Sequence, residues 1–160
     1  MAVPTAYPPL GSSPLSSLED VRVLSFPLRE AAGRRLVAIE GPGPDYPLPI
    51  ARVFTVSAME AGIVGGRHAH RRCSQFLVAV HGRVEVTALA DPERPDAVCR
   101  VLLDSPNLGV LLPPGIWGEQ HYLDPDAVLM VLCDRPYEAA DYIRDFEEFR
   151  AYRSSASMVA

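Results

Sequence analysis

Two histidines stand one residue apart in the segment Gly66-Arg67-His68-Ala69-His70-Arg71. In an extended strand, residues i and i+2 point to the same face, so both imidazoles project side by side. Imidazoles placed in this way serve either as metal ligands or as proton-transfer groups that titrate near neutrality. The rest of the composition narrows the chemistry. All 15 basic residues are arginine and none is lysine, which excludes a lysine Schiff base or a lysine general base on this chain. Arginine is then the available anion clamp, and its planar fork matches phosphate oxygens.

These side chains must be held by a scaffold, and 160 residues suffice for one domain with a real core. Hydrophobic residues make up 48% of the chain, with no apolar run long enough to span a bilayer as a helix. A soluble protein without membrane association is expected. Met1 to Leu18 lacks the basic start and apolar core of a secretory signal. Cys73, Cys99 and Cys133 are widely spaced and odd in number, which fits a reducing cytoplasm better than a disulfide framework. The net charge of −5 gives no support for nucleic-acid binding.

Residues 1–19, rich in Pro and Ser, read as a flexible N-terminal extension, 20–153 as the folded domain and 154–160 as a flexible tail. Short β-type runs fill the domain: Arg35–Glu40, Ala51–Ser57, Gln75–Val80, Arg83–Leu89, Val98–Leu103, Gly109–Leu112 and Ala127–Cys133. The Arg83–Leu89 run alternates as a strand with one wet face does. His81-Gly82 sits where a tight turn should join two strands. The Ala127–Cys133 run is apolar throughout, as for a strand buried on both faces or at a subunit contact. One helix is expected over Ala139–Tyr152, with Tyr142, Phe146 and Phe149 along one face. Many short strands without alternating helices predict an all-β sandwich or barrel with one C-terminal helix.

The histidine segment lies in a spaced pattern: Gly62, five residues, His68-Ala69-His70, four residues, Gln75, six residues, Gly82. This resembles the first motif of the cupin superfamily, with Gln75 where the motif has glutamate. Pro113-Pro114-Gly115-Ile116-Trp117-Gly118 resembles the second motif, with Gly118 where its histidine belongs. The resemblance implies a cupin jelly-roll barrel. A cupin metal is normally held by three histidines and a carboxylate. Only two of those four ligands are kept here, fewer than firm divalent-metal binding requires. No metal and no cofactor are therefore expected, and the histidine pair reads as an acid/base pair.

Five segments narrow the resemblance further, and together they cover roughly residues 35–150 in order. They are Arg52-Val53-Phe54, the histidine segment with Gln75, Leu103-Asp104-Ser105-Pro106-Asn107-Leu108-Gly109-Val110, Pro113 to Glu119, and Tyr137 to Phe149. This set is similar to the thymidine-diphosphate-sugar 3,4-ketoisomerases, cupins that work without metal. The resemblance implies isomerisation of dTDP-4-keto-6-deoxyglucose to its 3-keto isomer in deoxy-amino-sugar biosynthesis, with a homodimer as the working form. It carries His68 and His70 over as the proton shuttle between C3 and C4. Arg52, Arg67, Arg71, Gln75, Trp117 and Glu119 are the expected substrate contacts. The chain departs from the family at Gly65, Phe54 and Gly118, where relatives often carry arginine, tyrosine and histidine. Competing readings are a sugar epimerase, which pairs histidine with aspartate, a metal-dependent cupin recruiting His121, and a non-catalytic sugar-nucleotide-binding cupin.

Overall fold

In a computed structural model, which describes residues 15–158, the alternating runs become strands of antiparallel sheets. The first strands are β1 (Arg22–Ser25), β2 (Arg29–Ala31), β3 (Arg34–Leu36), β4 (Arg52–Ser57), β5 (Val64–His70) and β6 (Gln75–His81). They are followed by β7 (Val84–Leu89), β8 (Val98–Leu103), β9 (Leu108–Leu112), β10 (Trp117–Tyr122), β11 (Val128–Cys133) and β12 (Tyr142–Ile143). One sheet has the order β1-β9-β6-β11-β4, the other β12-β5-β10-β7-β8, and β2-β3 form a separate hairpin. This is the all-β, cupin-like architecture that the motifs imply, with a single α-helix, α1 (Phe146–Ser157), at the C-terminal end.

The main core lies between the two sheets. Leu77 and Ala79 of β6, Val84 and Val86 of β7, Val110 of β9, and Leu129 and Val131 of β11 are all buried there. The intervening residues of the first sheet build a second layer. Phe76, Val78, Leu111 and Leu132 point outward and are covered by Phe26, Tyr46 and Leu48 from the segment before β4. β6 and β11 are thus buried on both faces, which explains their unbroken apolar sequence. On the outer face of the second sheet, α1 covers Ala69, Leu89, Trp117 and Ile143 with Phe149.

Several sequence expectations are corrected. His81-Gly82 does not close a hairpin, because β6 and β7 belong to different sheets, so the turn carries the chain across the sandwich. Gly82 has φ +67°, and a Cβ there would come within 2.8 Å of the Ala127 Cα. The strand expected over Arg35–Glu40 is the short β3, and the alternating strand β10 was not foreseen. The helix begins at Phe146 rather than Ala139. Asp145 caps it by accepting the Glu148 N–H, while Tyr142 and Ile143 pair with His70 and Ala69 at the edge of β5. A heptad-like aromatic spacing therefore straddled a strand and a helix.

The expected loose tail also differs, since Ser154–Ser157 complete the last turn of α1. Its Arg153 guanidinium donates to the Ser16 and Gly115 carbonyls. Ser17 caps a 3-10 turn over Leu18–Asp20, inside the expected N-terminal extension. Residues 1–14 and 159–160 lie outside the described residues. No helix among the described residues is long and apolar enough to cross a membrane.

Candidate active site

Alternation along β5 decides the site. Ala69 is buried in the layer beneath α1, so His68 and His70 face the opposite way, into the sandwich. Their ring centroids are 5.0 Å apart. Both rings line a small interior cavity with Gln75, Gly118 and Gln120, with a free volume of about 10 Å³, room for about one water molecule. At Gly118 a Cβ would already meet the Leu112 side chain at 3.0 Å, so the residue that departs from the cupin pattern leaves space that Leu112 borders.

β5 is also kinked on purpose. Arg67 is the extra residue of a bulge opposite Gly118/Glu119, with φ +55°. Gly66 beside it has φ +76°, and a Cβ there would stand 2.4 Å from the buried Gln120 amide. Glycine is required at this point for both conformation and space. The bulge restores the inward aim of His68 after the exposed Arg67.

His70 is oriented by Asp141, a residue 71 positions downstream, whose Oδ2 lies 2.9 Å from His70 Nδ1. The carboxylate also accepts the Arg72 N–H at 2.8 Å and the Cys73 N–H at 3.2 Å. An acceptor-only partner places the hydrogen on Nδ1 and leaves the lone pair on Nε2. Nε2 is buried and has no hydrogen-bond partner. Burial holds the His70 pKa down to about 4, against the raising effect of Asp141. It also lowers His68, partly offset by hydrogen bonding to the Gly66 backbone and the Gln75 side chain. Both imidazoles are therefore neutral at neutral pH, the form a general base needs.

Tyr142 packs against both rings, 5.1 Å from His68 and 4.3 Å from His70 between centroids. Its hydroxyl accepts from Arg52 Nη1 at 3.2 Å, and the Arg144 guanidinium lies 4.1 Å over its ring. Arg144 lowers both histidine pKa values through its charge. Two guanidiniums thus flank the histidine pair through one phenol ring. Gln75 is buried, and its amide donates to Cys133 Sγ at 3.6 Å.

Other expected contacts stand elsewhere. Arg71, the next outward residue after His70, pairs with Glu148 of α1 at 2.6 Å and lies over Tyr152. Trp117 is buried under α1 between Phe146 and Phe149, and its Nε1–H donates to Glu119 at 3.2 Å. Both therefore point away from the cavity, and Arg67 is exposed at the bulge. The usual cupin metal set does not fit. Gly118 offers no ligand, Gln75 brings a neutral amide whose N–H donates to Cys133 where the cupin set has a carboxylate, and His121 alternates with the inward Gln120 and Tyr122.

Residues 19–154 match the FdtA family of WxcM-like C-terminal domains. The chain belongs to this family. A curated relative is the TDP-4-oxo-6-deoxy-alpha-D-glucose-3,4-oxoisomerase of Aneurinibacillus thermoaerophilus. It is 33% identical over 117 residues, 73% of this chain and 81% of the relative. Among solved structures, the sugar 3,4-ketoisomerase QdtA from Thermoanaerobacterium thermosaccharolyticum, in complex with TDP, has a TM-score of 0.78 at 27% identity. That match covers 87% of this chain and 98% of the other. A 3,4-ketoisomerase from Helicobacter canadensis has a TM-score of 0.77 at 25% identity, covering 84% and 98%.

Asp141, Tyr142, Gln120 and Arg144 are the site residues that sequence reasoning missed. Gln120 shares a strand face with Gly118, a signal available once Trp117–Tyr122 is read as a strand. Asp141 and Tyr142 lie within Tyr137–Phe149, where the aromatic spacing predicts a helix and the structure has a 3-10 turn and β12. The histidine–aspartate pairing that was associated with an epimerase is present here, supplied from a distant segment.

Proposed function

We propose that this protein, a sugar-nucleotide 3,4-ketoisomerase of the WxcM-like family, converts dTDP-4-keto-6-deoxyglucose to its 3-keto isomer by histidine-mediated proton transfer. The observation that carries the mechanism is the buried, unpartnered Nε2 of His70, backed by Asp141 at Nδ1. A neutral imidazole in that state takes the proton from C3, next to the C4 ketone. Electrons move into the C3–C4 bond and the C4 oxygen takes up a proton, giving an enediol. Reprotonation at C4, with loss of the hydroxyl proton at C3, gives the 3-ketone. His68, its ring 5.0 Å away, is the partner that exchanges the second proton. Asp141 stabilises the imidazolium formed on His70 and keeps its tautomer. Arg52 and Arg144 supply positive charge for the developing enediolate or the diphosphate.

The reading is tested by adding the substrate to the protein in deuterated water. Deuterium should appear at C3 by NMR, followed by 3-keto product, and His70→Asn should lose both. Absence of exchange in the wild-type protein overturns it and leaves a binding role.

The same reading includes a cytoplasmic homodimer. It is supported by exposed apolar side chains on the outer face of the first sheet, Val53 (54% exposed) and Val80 (40%), beside Leu36 (56%) of the β2-β3 hairpin. Sedimentation analysis should give twice the 17.4 kDa chain mass.

A further inference from the structure

The carboxamide of Gln120 brings the histidine cavity a hydrogen-bonding capacity that the acid/base pair does not use. The sheet order β12-β5-β10 sets the histidine strand between two neighbours, with Tyr142 on one side and Gln120 on the other. Gln120 is 7% exposed and lines the cavity with His68, His70 and Gly118. Among the described residues, none hydrogen-bonds to its carboxamide. A buried amide left in this state is costly, which points to a partner that arrives with the substrate. The other amide of the lining is spent, because Gln75 donates to Cys133 Sγ and hydrogen-bonds to His68. Glycines make the room for Gln120. A Cβ at Gly66 would collide with the carboxamide, one at Gly65 would meet Oε1 at 3.9 Å, and one at Gly118 would meet Nε2 at 3.6 Å. The oxygen is therefore turned toward Gly65 and the N–H donor toward the Gly118 side of the cavity.

The cavity has room for about one water-sized group, which is also the size of a single carbonyl oxygen. When the C3–H bond breaks toward His70, negative charge develops on the C4 oxygen before that oxygen takes up its proton. A fixed N–H dipole aimed at this atom, in a site closed to water, lowers the barrier. His70 and Gln120 border the same cavity, so one sugar can present C3 to the imidazole and the C4 oxygen to the amide. We propose that Gln120 is a catalytic residue whose Nε2–H hydrogen-bonds the C4 keto oxygen of the bound sugar and stabilises the charge that develops there. The amide transfers no proton. Arg52 and Arg144 act from the opposite side of the histidine pair, through Tyr142. The rate effect rests on the ketoisomerase reading, whereas the contact with the keto oxygen needs no turnover.

Gln120→Met keeps the length of the side chain and removes the amide. It should lower kcat by about 10²–10³-fold, the range for losing one such donor, with KM changed much less. Binding of dTDP, which lacks the keto oxygen, should be unchanged by calorimetry. The melting temperature should stay level or rise, because an unpaired buried amide is gone. Gln120→Leu supplies the same comparison if the methionine variant is poorly folded. A lower melting temperature with unchanged kcat makes Gln120 a packing residue and overturns the proposal. The contact itself is read by isotope-edited infrared spectra of dTDP-4-keto-6-deoxyglucose carrying ¹³C at C4, bound to His70→Asn. The carbonyl stretch should lie lower there than in the variant that also carries Gln120→Met, and equal frequencies overturn the contact. A lowered stretch without C3 deuterium exchange in the wild-type protein sinks the ketoisomerase reading and keeps the Gln120 contact. Exchange at the wild-type rate in both Gln120 variants overturns the role of Gln120 and leaves that reading standing.

Discussion

The two faces of β5 do opposite work within seven residues. Inward, His68 and His70 border a cavity with their charge suppressed by burial. Outward, Ala69 is sealed beneath α1, and Arg71, just past the end of the strand, reaches across to Glu148. β10 repeats the division, with Gly118 and Gln120 lining the cavity and Trp117 buried under the helix. The comparison teaches that chemical character is a poor guide to a site when strands alternate. Arginine, tryptophan and glutamate resemble ligand contacts by type, but on the outward face they serve packing and surface ion pairing.

Substitutions on the two faces should separate along this line. The largest effect is expected inward. Replacing His70 with Asn should lower kcat by about 10²–10⁴-fold, the range for losing a general base, with the melting temperature nearly unchanged. Steady-state assays and calorimetry check both halves, and a large loss of stability would make His70 structural. The outward counterpart is Phe149→Ala, which should cost about 3–5 kcal/mol of stability by denaturant unfolding. Intrinsic kcat of the folded fraction should change little. If kcat falls as far as in the His70 variant, the division between faces is wrong.

Asp141→Asn sharpens the inward half. The amide can donate to Nδ1 and so favours the wrong tautomer, and kcat should fall by about 10–100-fold with KM little changed. Because Asp141 raises the His70 pKa, its removal should let burial depress that pKa further. The imidazole proton resonance, followed by NMR titration, should then move to lower pH, and an upward move would contradict the assignment.

The pH dependence has a defined sign. His70 titrates near 4 when folded and near 6.5 when unfolded, so below 6.5 the unfolded chain binds the extra proton. Its contribution to stability is present above 6.5 and is lost as pH falls toward 4. The acid limb of kcat/KM should likewise lie below the ordinary histidine range, and a limb at 6.5 or above would refute a buried neutral base. The smallest effect belongs to Arg71→Ala. It removes a pair whose side chains are 38% and 48% exposed, worth about 0–1 kcal/mol, and should leave kcat/KM intact.

Most of the strands were legible from local sequence. Val98–Leu103 coincides with β8, and the Ala127–Cys133 run became β11, buried on both faces. Glycine punctuation and period-2 alternation are local properties, which is why they read well. The errors share a cause. The Tyr142, Phe146 and Phe149 spacing satisfies a helix, but pairing with β5 captures Tyr142 and the Asp145 cap starts the helix later. The edge of another strand, far away in sequence, decided between two locally acceptable conformations.

By itself the sequence determined the all-β class, the joint aim of His68 and His70, and the loss of the cupin metal set at Gln75 and Gly118. The first two follow from residue type and a period of two, with no need to know what packs where, and the third from the resemblance to the cupin motifs. Only the tertiary structure decided that Asp141 backs His70, that Tyr142 and Arg144 cover the pair, and that Arg71 and Trp117 face away. The physical reason is distance along the chain. Asp141 and His70 are 71 residues apart, and only the pairing of β12 with β5 brings the carboxylate within hydrogen-bonding reach of the imidazole.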